Sequence, residues 1–159
     1  MDYTCSYDSP LGPITLAGDG EALIGLWFNG QKHFAHRLSP AFEEKSLPVF
    51  EEARRWLELY FAGQVPSFTP KLAPRGTAFQ QAVWQKLGAI PYGKTSTYGE
   101  LARTLNCASA RAVGGAVGLN PISLLIPCHR VLGTGGRLTG YAGGLSRKQW
   151  LLALEGIEP

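Results

Sequence analysis

Three prolines within ten residues, in Val65-Pro66-Ser67-Phe68-Thr69-Pro70-Lys71-Leu72-Ala73-Pro74, divide this chain into two unlike halves. Proline removes a backbone donor and clashes with a preceding helical turn, so no regular element runs through the segment. The halves differ in pattern. Before the break, Tyr3–Tyr7, Ile14–Ala17 and Ala22–Phe28 are short apolar runs separated by Asp8-Ser9-Pro10-Leu11-Gly12-Pro13 and Gly18-Asp19-Gly20. Such runs between turn signals predict an antiparallel meander. One helix is predicted over Pro48–Phe61, with Phe50, Ala53, Leu57 and Tyr60/Phe61 at helical spacing and Gly63 just past its end.

After the break the pattern is helical. The spacing predicts a helix from Thr77, its candidate N-cap, to Ile90, with Phe79, Val83, Leu87 and Ile90 on one face. Short helices follow over Thr97–Leu105 and Ser109–Gly118, and a last one over Ser146–Leu154 with Gly156 as its cap. Residues 121–127 read as extended, and Gly133–Gly136 and Gly140–Gly144 as glycine-rich loops. The expected class is therefore α+β, with residues 1–70 forming an N-terminal domain and 75–159 a mostly helical one. The 159 residues suffice for two small domains sharing a core.

Charge separates the halves too. Residues 1–70 hold five Lys/Arg and nine Asp/Glu, whereas 71–159 hold ten and three, a net of +7. A basic half is the footprint of a polyanion binder, although an unevenly charged solvated surface gives the same count. No apolar run approaches the ~20 residues that cross a bilayer, and Met1–Cys5 has neither a basic nor an apolar signal region. Three cysteines without framework spacing favour reduced thiols, hence a cytoplasmic setting. Cys5, His33 and His36 fall short of the four ligands of a closed zinc site, so no metal or cofactor is expected.

Two stretches carry chemistry. Leu101, Ala102 and Leu105, then a polar turn, then Val113 and Val117, have the spacing of a helix-turn-helix, or of a plain helical hairpin. The second helix offers no side chain that reads base edges, and its glycines, Gly114 and Gly115 adjacent, each cost about 1 kcal/mol relative to Ala. Something must approach that backbone closely. Arg111 is its lone polar member, which points to shape- and charge-based binding in a minor groove.

The other stretch is Ile126-Pro127-Cys128-His129-Arg130-Val131. A thiol reacts as a thiolate, and His129 and Arg130 are placed to lower its pKa against the effect of burial. With Glu155 at the end of an apolar helix, Cys128 and His129 make a nucleophile, base and orienting acid, a set that a cysteine hydrolase also uses.

Taken together, Ala110–Ala116, Asn120-Pro121-Ile122, Ile126–Val131, Thr139–Gly144 and Trp150–Gly156 strongly resemble the methylated-DNA–protein-cysteine methyltransferases, the O6-alkylguanine-DNA alkyltransferases. The resemblance is dense from Thr77 to Gly156 and looser over 1–70. It implies a ribonuclease H-like N-terminal sheet domain and a C-terminal winged helix-turn-helix domain. It implies direct repair of O6-alkylguanine, and less well O4-alkylthymine, in nucleotides flipped out of double-stranded DNA. Cys128 matches the acceptor that keeps the alkyl group, His129 the base acting through a water, and Glu155 the acid that orients it. Tyr98 matches the proton donor to guanine and Asn120 the brace of the active-site turn. Arg111 matches the finger that fills the vacated place in the duplex, on a helix whose Ala110, Gly114 and Gly115 meet DNA. Tyr141, Val131, Ala142 and Gly143 match the substrate pocket, many relatives carrying serine at position 142. The expected partner is duplex DNA, bound through its minor groove by a monomer without regard to sequence. Two further readings are weaker. A lesion binder without repair would lack Cys128, and a transcriptional regulator would carry base readers or a second DNA-binding domain.

Overall fold

A computed structural model describes residues 1–158; Pro159, the last residue of the expected second domain, lies outside the described residues. Strands β1 (Asp2–Ser9), β2 (Gly12–Gly18) and β3 (Leu23–Phe28) form the expected meander. Tyr3 stands opposite Gly18 and Ser9 opposite Gly12, and Ile14 stands opposite Phe28 across the next pair. A short exposed strand not foreseen from the sequence, β4 (Phe42–Glu44), adds to β1 in parallel and gives the order β3-β2-β1-β4. Three residues, two of them acidic and all exposed, carry no alternating apolar signal to read.

Helix α1 (Pro48–Phe61) packs on this sheet through Val49, Phe50, Ala53, Trp56, Leu57 and Tyr60. Pro48 sits at the start of the helix, where its missing N–H costs nothing.

Strand β3 is buried along its whole length. Its outer edge is covered by two segments from elsewhere. The Leu23 N–H donates to the Lys71 carbonyl and the Ala73 N–H to the Leu23 carbonyl, both at 2.8 Å. Further along, the Leu26 N–H donates to Pro121 and the Ser123 N–H to Leu26. The proline-rich segment is thus a docked strap rather than a loose linker, fastened also by Arg75, which reaches both oxygens of Asp2 at 2.8 and 2.9 Å. Covering an edge in this way removes a row of unpaired backbone groups. One continuous apolar core results, running from Ile14, Leu26 and Phe28 to Val83, Val113 and Val131.

The helical half contains α2 (Ala78–Gly88), α3 (Tyr98–Thr104), α4 (Ala110–Gly118) and α5 (Leu145–Leu154). Thr77 caps α2 in a capping box with Gln80, and Thr97 and Ser109 cap α3 and α4. Helix α2 ends two residues before Ile90, and Phe79, expected on its core face, is exposed. The Trp84 indole donates to the Ala116 carbonyl at 2.9 Å, tying α2 to α4. Residues 121–127 are not an extended strand. Leu124 has φ 74°, and Ser123 bridges back to Ile126, so the segment is a tight loop between α4 and Cys128. Two-residue strands β5 (Ser96–Thr97) and β6 (Val131–Leu132) pair in parallel and anchor the chain just beyond Cys128. Among the described residues, no helix is long and apolar enough to cross a membrane.

Candidate active site

Asn120 holds both ends of the loop that precedes the cysteine. Its amide donates to the Ile126 carbonyl at 2.7 Å, and its oxygen accepts from the Ile122 N–H at 3.0 Å. Both groups are buried, and a severed partner would leave a polar atom unpaired at a cost of ~1–3 kcal/mol. The chain then makes a single 3-10 turn over Cys128–Arg130, with the Cys128 N–H bonded to Ile126 and the Arg130 N–H to Pro127. This turn sends Cys128 to a cavity and brings His129 and Arg130 together on Glu155, a division of labour that the linear run does not reveal.

Cys128 lies on the wall of a cavity of about 340 Å³. That is near the lower limit for small-molecule sites. Tyr98, Gly114, Val117, Tyr141 and Ala142 contribute to the same wall. Gly143 is required behind it, since a Cβ there would lie 2.6 Å from the Tyr141 ring. Lys32 and His33, from the loop after β3, also reach the cavity, and the Lys32 N–H donates to the Ala142 carbonyl. Burial pushes the Cys128 thiol up, while Asn120, Lys148 and Ser123 pull it down.

His129 is completely buried and turned towards Glu155, with Nε2 2.6 Å from Oε2. Burial holds its pKa below the ordinary histidine value, although Glu155 pulls the other way. The ionised Glu155 can only accept, so Nε2 carries a hydrogen. Nδ1 is buried without a hydrogen-bond partner among the described residues.

Arg130 does not act on the thiol as its sequence position suggests. Its Nε donates to Glu155 Oε1 at 2.8 Å and its Nη1 to the Ile90 carbonyl. Gly93 N–H and the Tyr60 hydroxyl also donate to Glu155. Burial raises the Glu155 pKa, but hydrogen bonds from His129, Arg130 and Gly93 outweigh it and hold the carboxyl at about 2.

The cation that favours the thiolate is Lys148, buried in α5. Its ammonium donates to the carbonyls of Val131, Thr139 and Gly140, clamping the strand after the nucleophile to the glycine-rich loop. Burial lowers its pKa to about 8, against the raising effect of Cys128. The available signal was its spacing, three and four residues before the buried Leu151 and Leu152, where a lysine is unusual. Tyr60 left no comparable signal, because its ring is an ordinary core residue of α1 and only its hydroxyl reaches the site.

The structure therefore gathers Cys128, Tyr98, Tyr141, Ala142 and Gly114 at one cavity, and His129 and Glu155 behind it. Val131 is fully buried and its carbonyl accepts from Lys148. Ala110 and Arg111 are exposed at the start of α4, and an added Cβ at Gly115 would meet nothing within 4 Å. Cys5 lies in β1, and His33 and His36 are exposed on the loop after β3.

The family model for the DNA binding domain of 6-O-methylguanine DNA methyltransferase matches residues 78–157, and that for its ribonuclease-like domain matches residues 3–74. A methylated-DNA–protein-cysteine methyltransferase of Methanosarcina acetivorans is 51% identical over 156 residues, spanning 97% of this chain and 98% of its own. One from Haemophilus influenzae is 48% identical, spanning 98% and 87%. Among solved structures, Mycobacterium tuberculosis OGT in complex with DNA superposes with a TM-score of 0.87 at 45% identity, covering 96% of this chain and 92% of that one.

Proposed function

The chain belongs to the 6-O-methylguanine DNA methyltransferase family, and from that premise we propose that it repairs alkylated DNA by taking the alkyl group onto Cys128, once per molecule. The observation that carries this reading is a buried thiol on the wall of a cavity, with the next residue's imidazole buried and held by a carboxylate. The alkyl carbon of O6-alkylguanine lies inside a stacked duplex, so the nucleotide must be flipped out to reach such a cavity.

The thiol proton passes through a water to His129 Nδ1, while Glu155 holds the resulting imidazolium. The sulfur forms a bond to the alkyl carbon as the carbon–O6 bond breaks. The guanine anion that leaves takes a proton from the Tyr98 hydroxyl. A thioether remains with no group placed to hydrolyse it, so the acceptor is consumed. Tyr141 stacks beside the base, and backbone groups of Val131, Ala142 and Gly143 hold its edge. A carbonyl oxygen has two lone pairs, and Lys148 occupies one on Val131. O4-alkylthymine is the weaker substrate in this scheme.

DNA meets the protein along α4. Arg111 enters the stack vacated by the flipped base, and Ala110, Gly114 and Gly115 let the helix press into the minor groove. With no base-reading side chains there, binding is independent of sequence. The protein acts as a cytoplasmic monomer of two domains, residues 1–70 and 75–159.

Gly115→Leu tests the groove contact. Leucine favours a helix over glycine by somewhat under ~1 kcal/mol, and the position faces open space, so thermal stability should hold or rise. Affinity for duplex DNA should nevertheless fall about tenfold or more, equivalent to about 1.4 kcal/mol. Reaction with free O6-benzylguanine should stay unchanged, and an equal loss on both substrates would count against the contact.

The reading as a whole is tested by intact mass after incubation with an O6-methylguanine duplex. A gain of one methyl, mapped to Cys128 and stopping at one equivalent, is expected. Turnover beyond one equivalent would indicate a hydrolase instead.

A further inference from the structure

The Glu155 carboxylate collects donors from five groups. Oε1 accepts from Arg130 Nε at 2.8 Å and the Gly93 N–H at 3.0 Å. Oε2 accepts from His129 Nε2 at 2.6 Å, Arg130 Nη2 at 3.2 Å and the Tyr60 hydroxyl at 2.6 Å. Four of these belong to the helical half. Tyr60 alone comes from α1, the helix of the N-terminal half, and its hydroxyl also lies 3.3 Å from His129 Nε2.

The ring that carries this hydroxyl is held tightly. It stacks on Trp56 at a centroid distance of 5.2 Å and 13° between planes, and the Tyr92 ring meets it edge-on at 6.2 Å. Tyr60 is 1% exposed. Burial beside a carboxylate pushes the phenol far above its ordinary pKa, so it remains a donor.

We propose that Tyr60 is a positioning residue for alkyl transfer, whose hydroxyl fixes the Glu155–His129 pair so that Nδ1 is left to serve the thiol. This rests on the function proposed above and makes the N-terminal half part of the active centre. The hydroxyl does two things. It pins Oε2, the oxygen that receives the His129 Nε2–H, and so favours one tautomer. It also disperses the carboxylate charge, which weakens the pull towards imidazolium and keeps the base neutral.

Tyr60→Phe removes the hydroxyl and keeps the ring. The single-turnover rate of methyl transfer should fall about tenfold, the scale of one hydrogen bond to a charged group, through lost orientation of the Glu155–His129 pair, although His129 becomes the stronger base. Affinity for duplex DNA should stay within about twofold, because α4 is untouched. With one donor gone the carboxylate favours imidazolium more strongly, so the acid limb of the pH–rate profile should move to higher pH. The ¹⁵N shifts of His129 report the same titration without any alkyl transfer. They should show hydrogen on Nε2 in the parent protein and a higher midpoint in the variant.

A second variant covers loss of folding. 3-Fluorotyrosine placed at position 60 alone keeps the shape but is a stronger donor, and should move the acid limb and the ¹⁵N midpoint to lower pH. As a packing control, Trp56→Phe should lower the melting temperature and leave both pH readouts in place. A parent protein that repairs DNA while Tyr60→Phe keeps its rate, pH profile and His129 midpoint would overturn the inference. A parent that takes up no methyl would overturn the proposed function instead, and the ¹⁵N titration would still decide the role of Tyr60.

Discussion

Cys128→Ala is expected to remove alkyl transfer completely while leaving the fold and DNA affinity intact. In the proposed scheme the sulfur is the acceptor as well as the attacking atom, so no neighbouring residue can substitute for it. Cys5 and Cys107 lie in β1 and in the turn between α3 and α4, and neither lines the cavity. The substitution removes one buried sulfur beside a cavity that already exists, so the thermal midpoint should change little. Intact mass after incubation with an O6-methylguanine duplex should show the unmodified chain, and band-shift titration should give a dissociation constant near that of the parent. A methyl group on any residue of this variant would show that the acceptor has been misplaced.

Glu155→Gln should have the second largest effect, because it damages stability and chemistry together. An amide oxygen and an amide nitrogen would face five donor groups that now meet two carboxylate oxygens. Arg130 would keep its buried charge without a counter-ion, and breaking such a pair by losing one partner costs about 3 kcal/mol or more. Denaturant titration should register that loss. His129 would lose the anion that orients it and stabilises its protonated form, so transfer should slow by about 100-fold, the lower range for a positioned base. The pH dependence of folding supplies a separate check. Glu155 is held at about 2 in the folded protein, below its ordinary value of 4.5. Its ionised form therefore stabilises the fold fully above pH 4.5, and that stabilisation is lost as pH falls towards 2. The variant should lack this acid-induced component. A variant with parental stability and rate would remove Glu155 from the scheme.

The elements that the sequence shows best are those with local causes. Pro48 and Gly63 bracket α1, and Thr77, Thr97 and Ser109 each accept a backbone hydrogen bond at a helix start. The elements it hides depend on distant partners. Strand β4 exists because β1 offers it an edge, and β5 and β6 have two residues each and no pattern of their own. The loop over 121–127 looks extended in an apolar run, yet Leu124 reverses it so that the Ile126 N–H can bond back to the Ile122 carbonyl.

The same division holds in the active site. The run Pro127–Val131, the glycine-bearing helix with Arg111, and Glu155 at a helix end together carry the family resemblance, because the motifs occur in the same order along the chain. Their order in the sequence does not say which way each side chain faces. Arg130, two positions from the sulfur, turns away to Glu155, and Lys148, far along the chain in α5, is the cation that pulls the thiol pKa down. Tyr60, from the other half of the chain, donates to the acid that holds the base. The sequence by itself thus determined the family and singled out Cys128 and His129 as its candidate site residues, since these come from residue types at short spacing. Only the tertiary structure decided which charges are buried together, because packing of α1 and α5 against the 3-10 turn brings distant groups within hydrogen-bond reach and excludes the water that would otherwise screen them.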